Sequence, residues 1–389
     1  MPLLPPLRLT GARILRDGGL CDDALTLADG IIQDCPAREL DLSGYLVLPG
    51  IVDLHGDGFE RHLSPRPAAP FDKARAFRSV ATELAANGVT TAWLAQSWSW
   101  EGGFRSADAT EALLAALDHA RSGLLPDIRV QIRLETHVPD EHARLLRAIA
   151  RHGVDYVVFN NHLPEAQQMA QHHPQRFAQW AAQQGRSPQE LLTIIERAGQ
   201  MDDRVPQALS SLAMTLAAQG VAMGSHDDGD AMTRGRFRAI GAPICEFPTT
   251  AAAARDAIAA GEPVLMGAPN VVRGGSQSGN IAAEGLIADG LCTALVSDYY
   301  YPALPQAAFA LADRGTLPLA QAWDLLSGAP ARAMGLSDRG GLEPGQRADL
   351  VVVDPDTHAI EATIAGGRLA HAHGAAARRL MGGAAMAAQ

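Results

Sequence analysis

The sequence predicts an α/β fold: a (β/α)8 barrel of the TIM type with a small β-sandwich domain built from both chain ends. Three observations predict it. From Gly50 to about Met334, short apolar runs alternate with Ala- and Leu-rich amphipathic segments, the pattern of a parallel sheet with crossover helices. Those runs number eight, the count of a closed barrel. Both ends of the chain instead carry short strands separated by turn signals. At 389 residues the chain is long enough for a barrel and a smaller domain.

In order, residues 1–49 read as strands Leu7–Leu15, Ala24–Leu27, Ile31–Gln33 and Tyr45–Leu48, with Asp29-Gly30 as a hairpin turn. The barrel, residues 50–339, takes its strands from Ile51–Leu54, Val89–Ala95, Ile128–Leu134, Val154–Phe159, Val221–Met223, Ile244–Phe247, Val264–Met266 and Thr293–Val296. Val264–Met266 reads equally as loop. Phe71–Asn87, Thr110–Ala120 and Glu141–Ala150 have helical spacing, and Pro164–Gln219 is a long, mostly helical excursion. Residues 340–370 return to strands, Ala348–Asp354 and Ile360–Arg368, with Gly366-Gly367 as a turn. They are expected to pair with residues 1–49. Residues 371–389, rich in Ala and Gly without periodicity, read as a flexible, frayed tail with room for some helix.

The formal net charge of -11 argues against general nucleic-acid or membrane-surface binding, and no apolar run is long enough for a membrane span. Four cysteines without C-x-x-C spacing fit reduced thiols in a cytoplasmic protein. The only lysine, Lys73, lies on a surface helix, so none sits at a strand end where it could be carboxylated to bridge metals. Nothing in the sequence excludes a homo-oligomer.

The chemistry concentrates at strand ends. The first barrel strand runs into His55-Gly56-Asp57, whose two ligands fall on one side of an extended chain. Later strands run into Glu135-Thr136-His137, Asn160-Asn161-His162, His226-Asp227-Asp228 and Ser297-Asp298. One such His is more often a loop residue, and one such Asp more often a helix cap. The repetition favours a metal: His55, Asp57, Glu135, His162, His226 and Asp298 supply three imidazoles and three carboxylates, suited to one or two Zn²⁺-like divalent ions per chain. His137 reads as a substrate contact, a support for the ligands or a plain loop residue. Asp227 or Asp228 could orient an imidazole, with helix capping the better reading for at least one of them.

Arg273-Gly274-Gly275-Ser276, continuing through Ser278 to Asn280, precedes a helical run from Ile281. Flexible backbone, helix-start N–H groups and an arginine together suit an anion, and spacing alone weighs that evenly against a surface loop. Arg66, between two prolines, could reach a phosphate or be a surface arginine in a tight turn. Tyr299 to Tyr301 either line the pocket or pack around the barrel mouth.

These stretches, with Leu48–Asp57, Gly88–Thr91, Glu246-Phe247-Pro248-Thr249-Thr250, Leu265–Gly275, Ser278-Gly279-Asn280 and Ser297–Tyr300, resemble the amidohydrolase superfamily. They are most similar to its PhnM-type diphosphatases of the carbon–phosphorus lyase pathway for phosphonate use. The resemblance implies a metal-dependent barrel that hydrolyses α-D-ribose 1-methylphosphonate 5-triphosphate to the 5-phosphate and pyrophosphate. It implies the six metal positions named above, Glu135 in the bridging place, Asp298 as catalytic proton acceptor and a phosphate-binding loop at Arg273. His-x-Asp replaces the His-x-His common in the superfamily, which disfavours an amide-bond hydrolase. A C–N hydrolase such as a deacetylase or cyclic amidase, and a non-catalytic protein that kept the barrel, are the alternatives. The 163–220 excursion and Trp93, Trp98 and Trp100 have no assigned role.

Overall fold

The computed structural model describes residues 2–16, 18–66, 69–276 and 279–385. Eight parallel strands stand in sequence order: Ile51–Gly56, Val89–Trp98, Asp127–Glu135, Tyr156–Asn160, Ala222–His226, Ile244–Glu246, Val264–Gly267 and Ala294–Val296. The first and eighth meet through a bridge between Gly56 and Asp298 and two hydrogen bonds, Asp298 N to His55 O at 2.9 Å and Asp57 N to Asp298 O at 2.8 Å. That contact closes the barrel. Val264–Gly267 is a barrel strand, paired on both sides.

Period-two alternation divides the strand side chains. Ile128, Val130, Ile132 and Leu134 of the third strand pack outward among the helices, as do Val157, Phe159, Met223 and Cys245. Val52, Leu54, Tyr156, Val158, Ile244, Leu265, Ala294 and Val296 fill the interior. The helices come from the amphipathic segments, at Lys73–Ala86, Ala107–Ala120 and His142–His152. The excursion is four helices, Leu163–His172, Pro174–Gln183, Pro188–Gly199 and Val205–Ala218. The first three enclose a small core of their own around Phe177, Leu191 and Ile195. The last lays Leu209, Leu212 and Leu216 on the barrel.

The chain ends form two further sheets over one core that includes Leu7, Leu25, Val47, Leu350 and Ile364. Leu350–Val353 runs antiparallel to Leu46–Pro49, which leads directly into the first barrel strand. Asp29 and Gly30, at φ +54° and +85°, make the two-residue hairpin that joins Leu25–Ala28 to Ile31–Ile32. The expected strand Leu7–Leu15 divides at Gly11, where φ is +73°. The frayed tail expected from 371 is corrected. Residues to Ala372 complete a strand, and Gly374–Ala385 is a helix that buries Ala376 and Leu380 against this core. Those two residues are four apart, one face of a helical turn, which outweighs the low apolar content around them. Among the described residues no helix is long and apolar enough to cross a membrane.

Candidate active site

The polar side chains at the barrel mouth arrive by the same alternation. The register between the first two strands slips between Asp53 and Gly56. After that slip His55 turns inward although Leu54 before it also faces the interior. Its Nδ1 lies 2.7 Å from Glu246 Oε2. Glu246 is fully buried and its other oxygen accepts from Gln131 Nε2 and Tyr156 OH, both at 2.6 Å. With three donors aimed at it, Glu246 is ionised: burial pushes its carboxyl up, and the His55 imidazole more than offsets this and holds it below the ordinary range. Nδ1 of His55 therefore donates to this carboxylate, and Nε2 is the nitrogen left for a cation.

Two more imidazoles have a carboxylate on Nδ1. His226 Nδ1 is 2.7 Å from Asp227 Oδ2. His162 Nδ1 pairs with Glu135 Oε1 at 2.5 Å, and Glu135 Oε2 also accepts from the His162 backbone N–H. The two are shifted in opposite directions. Burial pushes His226 down, toward the neutral form a cation needs. Burial acts on His162 likewise, but the Glu135 carboxylate outweighs it and raises the imidazole.

The strand ends carry strained backbone. Asp227, Phe247 and Asp298, each just past a barrel strand, adopt φ of +60°, +50° and +54°. Each is anchored by its own N–H: Asp227 to Glu246 O, Phe247 to Leu265 O and Asp298 to His55 O. Below them, Asp53 accepts from Ser297 N and Oγ at 2.9 and 2.6 Å. Under the Asp227 turn, Arg234 is fully buried and binds Ser225 and Asp228. Burial pushes Asp298 up to about 6, with Asp57 nearby adding to the shift after the opposing effect of His55.

His55, Asp57, His226 and Asp298 line one cavity of about 280 Å³. Glu135 and His162 stand beside it rather than in it. His162 lines a second cavity, its ring 6.4 Å from that of His226 and its Nε2 4.0 Å from Asp227 Oδ2. Ligand atoms of His55, His226 and Glu246 fall within 4.8 Å of one another, and so do those of Glu101, Glu135 and His162. These two clusters could hold a metal ion, and imidazole Nε2 atoms backed by carboxylates are the donor set a divalent cation takes.

Arg273 lines the first cavity, with Nη1 3.2 Å from the Tyr299 hydroxyl, and Gly275 and Ser276 line it too. Gly274 and Gly275 donate their N–H groups to Val271 O and Asn270 O, ending the helix Ala268–Arg273. Those two N–H groups are thus taken up by the helix end, and the Arg273 side chain faces the cavity. Ser278 lies outside the described residues. Arg66 is exposed on the loop after the first strand and is absent from the residues lining this cavity. His137 is buried, bonded to Asp202 at 2.8 Å, and lines the second cavity. Tyr299 lines the first cavity, while Tyr301 is fully buried.

Two groups escaped the sequence reading. Glu246 was quoted only as part of a matching stretch, although Ile244-x-Glu246 places it on the inner face. Arg133 lines the first cavity, with Nη2 3.3 Å from His226 Nε2. Its buried Nε has no hydrogen-bond partner, and it forms no ion pair among the described residues. A guanidinium placed in one cavity with Asp57, Asp227 and Asp298, forming no ion pair with any of them, has donors left for an anionic ligand beyond the one turned to His226. The signal was Gln131-x-Arg133-x-Glu135, polar residues at period two on an otherwise apolar strand.

A family model described as the amidohydrolase family matches residues 59–371. The chain is 33% identical over 327 residues to the alpha-D-ribose 1-methylphosphonate 5-triphosphate diphosphatase of Escherichia coli (strain K12), covering 80% of this chain and 84% of that one. Among solved structures, a putative prolidase from Bifidobacterium longum superposes with TM-score 0.65 at 16% identity, over 98% of this chain and 100% of the other. N-acetylglucosamine-6-phosphate deacetylase from Pasteurella multocida superposes with TM-score 0.62 at 10% identity, over 94% and 99%. At such identities the two structures speak for the fold alone.

Proposed function

The chain belongs to the amidohydrolase family, and within it we propose a diphosphatase that hydrolyses α-D-ribose 1-methylphosphonate 5-triphosphate, the compound in the E. coli relative's name, to the 5-phosphate and pyrophosphate. The ions it uses are divalent, zinc by the nitrogen and oxygen donors, one or two per chain. His55, Asp57, His226 and Asp298 hold the first, and Glu135 with His162 belongs to the second. Bound there, a cation supplies an acidified water and neutralises phosphoryl oxygens. The four free thiols fit a cytoplasmic enzyme.

The residues of the chain divide the remaining work. Asp298 accepts the proton of the attacking water, and its raised pKa suits a base working near neutral pH. Arg133 grips the phosphoryl group under attack, and Arg273 the departing pyrophosphate, where charge develops during cleavage. Glu246 fixes the His55 tautomer, and Asp227 orients His226.

The observation that carries this reading is Arg133: a guanidinium that forms no ion pair among the described residues, in the cavity that holds the candidate ligands. A neutral amide group does not pair with it, whereas a phosphate completes it. The test measures products from purified, metal-loaded protein. Pyrophosphate release from the ribosyl triphosphate is expected. Release of acetate or amine from N-acetyl or cyclic amide substrates, without pyrophosphate, would replace this reading with C–N hydrolysis.

A further inference from the structure

The four-helix excursion builds one wall of a second chamber, and we propose that this chamber binds the pentose end of a substrate whose polyphosphate end occupies the first. The proposal rests on the phosphoanhydride reading above. The chamber measures about 500 Å³ and shares His226 and Asp227 with the first cavity. A bond cleaved at those two residues therefore has one product on each side.

The two sides differ in chemistry. Arg133 and Arg273 face the first cavity, as a departing pyrophosphate requires. The second is walled by Val205 and Leu209 from the excursion and by Phe237 and Ile240 from the segment after the fifth barrel strand. Such walls desolvate an anion without compensation and exclude a polyphosphate chain. They suit the C–H face of a sugar ring. One polar group deep in this wall is an unpaired acceptor. Asn160 is only 2% exposed, lines the chamber, and its Oδ1 has no hydrogen-bond partner among the described residues. A lone acceptor calls for an O–H donor, which a pentose hydroxyl supplies and a phosphate oxygen does not. At the rim, Arg236 is exposed, and its one side-chain hydrogen bond among the described residues is a long contact to Met232 Sδ at 3.6 Å. It is placed to receive an anionic group on the far side of the pentose, where the relative's substrate carries a methylphosphonate. The excursion thereby acts as a specificity element.

The experiment compares wild type, Val205→Trp and Arg236→Ala on three substrates: ribose 1-methylphosphonate 5-triphosphate, ribose 5-triphosphate and inorganic triphosphate. Metal content and melting temperature verify that each variant is folded. Val205→Trp, which fills the chamber, should lower the selectivity for pentose triphosphates over inorganic triphosphate roughly tenfold or more. Arg236→Ala should raise KM for the methylphosphonate-bearing substrate alone, with kcat held. If Val205→Trp affects all three substrates alike, or none, the proposal is overturned while the diphosphatase reading stands. If wild type cleaves none of them, that reading falls. Calorimetric titration with ribose 5-phosphate then decides the chamber separately: equal binding by wild type and Val205→Trp overturns it, and loss of binding in the variant supports it.

Discussion

Replacing Glu246 by Gln tests the logic of the site most directly. The Glu246 carboxylate accepts three buried hydrogen bonds, from His55, Gln131 and Tyr156. Truncation to Ala strands three donors at about 1–3 kcal/mol each, a loss of roughly 3–9 kcal/mol that rivals the whole stability of a domain. Gln keeps the shape and changes one thing. Its amide oxygen still accepts from Gln131 and Tyr156, but the atom facing His55 becomes an NH₂ group. That group donates to Nδ1, so the imidazole hydrogen moves to Nε2 and the lone pair meant for a cation disappears. Carboxylates that back metal-bound imidazoles are worth roughly 10–100-fold in metal affinity, so Glu246→Gln should lose about that factor. The assay is competition against a chelator of known affinity, with imidazole ¹⁵N shifts reporting the tautomer. A variant that binds metal within twofold of wild type, with the hydrogen still on Nδ1, would refute the argument.

Arg133→Met should cut kcat/KM for the triphosphate by about 10²–10³, the usual worth of one preorganised donor to a developing charge, while metal content, read by atomic emission, stays at the wild-type value. Asp298→Asn should abolish turnover, and in wild type kcat/KM should fall as pH drops through the Asp298 pKa, near 6 without metal and lower with a cation beside it; an Asp298→Asn variant that keeps full activity and wild-type metal content would remove Asp298 from the base role. Burial pushes the Cys292 thiol up to about 12 and raises Cys245 further, so at pH 8 a disulfide reagent should titrate only the half-buried Cys21 and Cys35 until the chain is denatured. Gly224→Ala places a Cβ 2.8 Å from Ile244 O and 3.2 Å from the Tyr156 hydroxyl, and should cost about 1–3 kcal/mol by thermal melting.

Alternation carried most of the fold into view. Eight apolar runs mark eight strands because a parallel sheet covered by helices needs an apolar outer face on every strand. The candidate site was legible at strand ends, and the four residues read there, His55, Asp57, His226 and Asp298, line one cavity. It was hidden in the strand bodies. Glu246 and Arg133 look like ordinary charges until one asks which face each occupies, and only burial turns them into functional candidates. The separation of Glu135 and His162 from the first cavity has another cause. Two strand ends can be neighbours in the barrel while their side chains pair with each other, and a ligand count contains no distances. The tail failed for the opposite reason, since two apolar contacts suffice to dock a short helix on an existing core.

The seam between Leu46–Pro49 and Leu350–Val353 bears on how the molecule is made. On a ribosome, the strand that feeds the barrel emerges some three hundred residues before the partner that covers its flank. The nascent enzyme can finish its catalytic half while that edge stays bare, open to chaperones or to a neighbouring nascent chain. Clipping the last forty residues would therefore not trim a loose end. It would leave the seam unsealed at the point where the first catalytic strand begins.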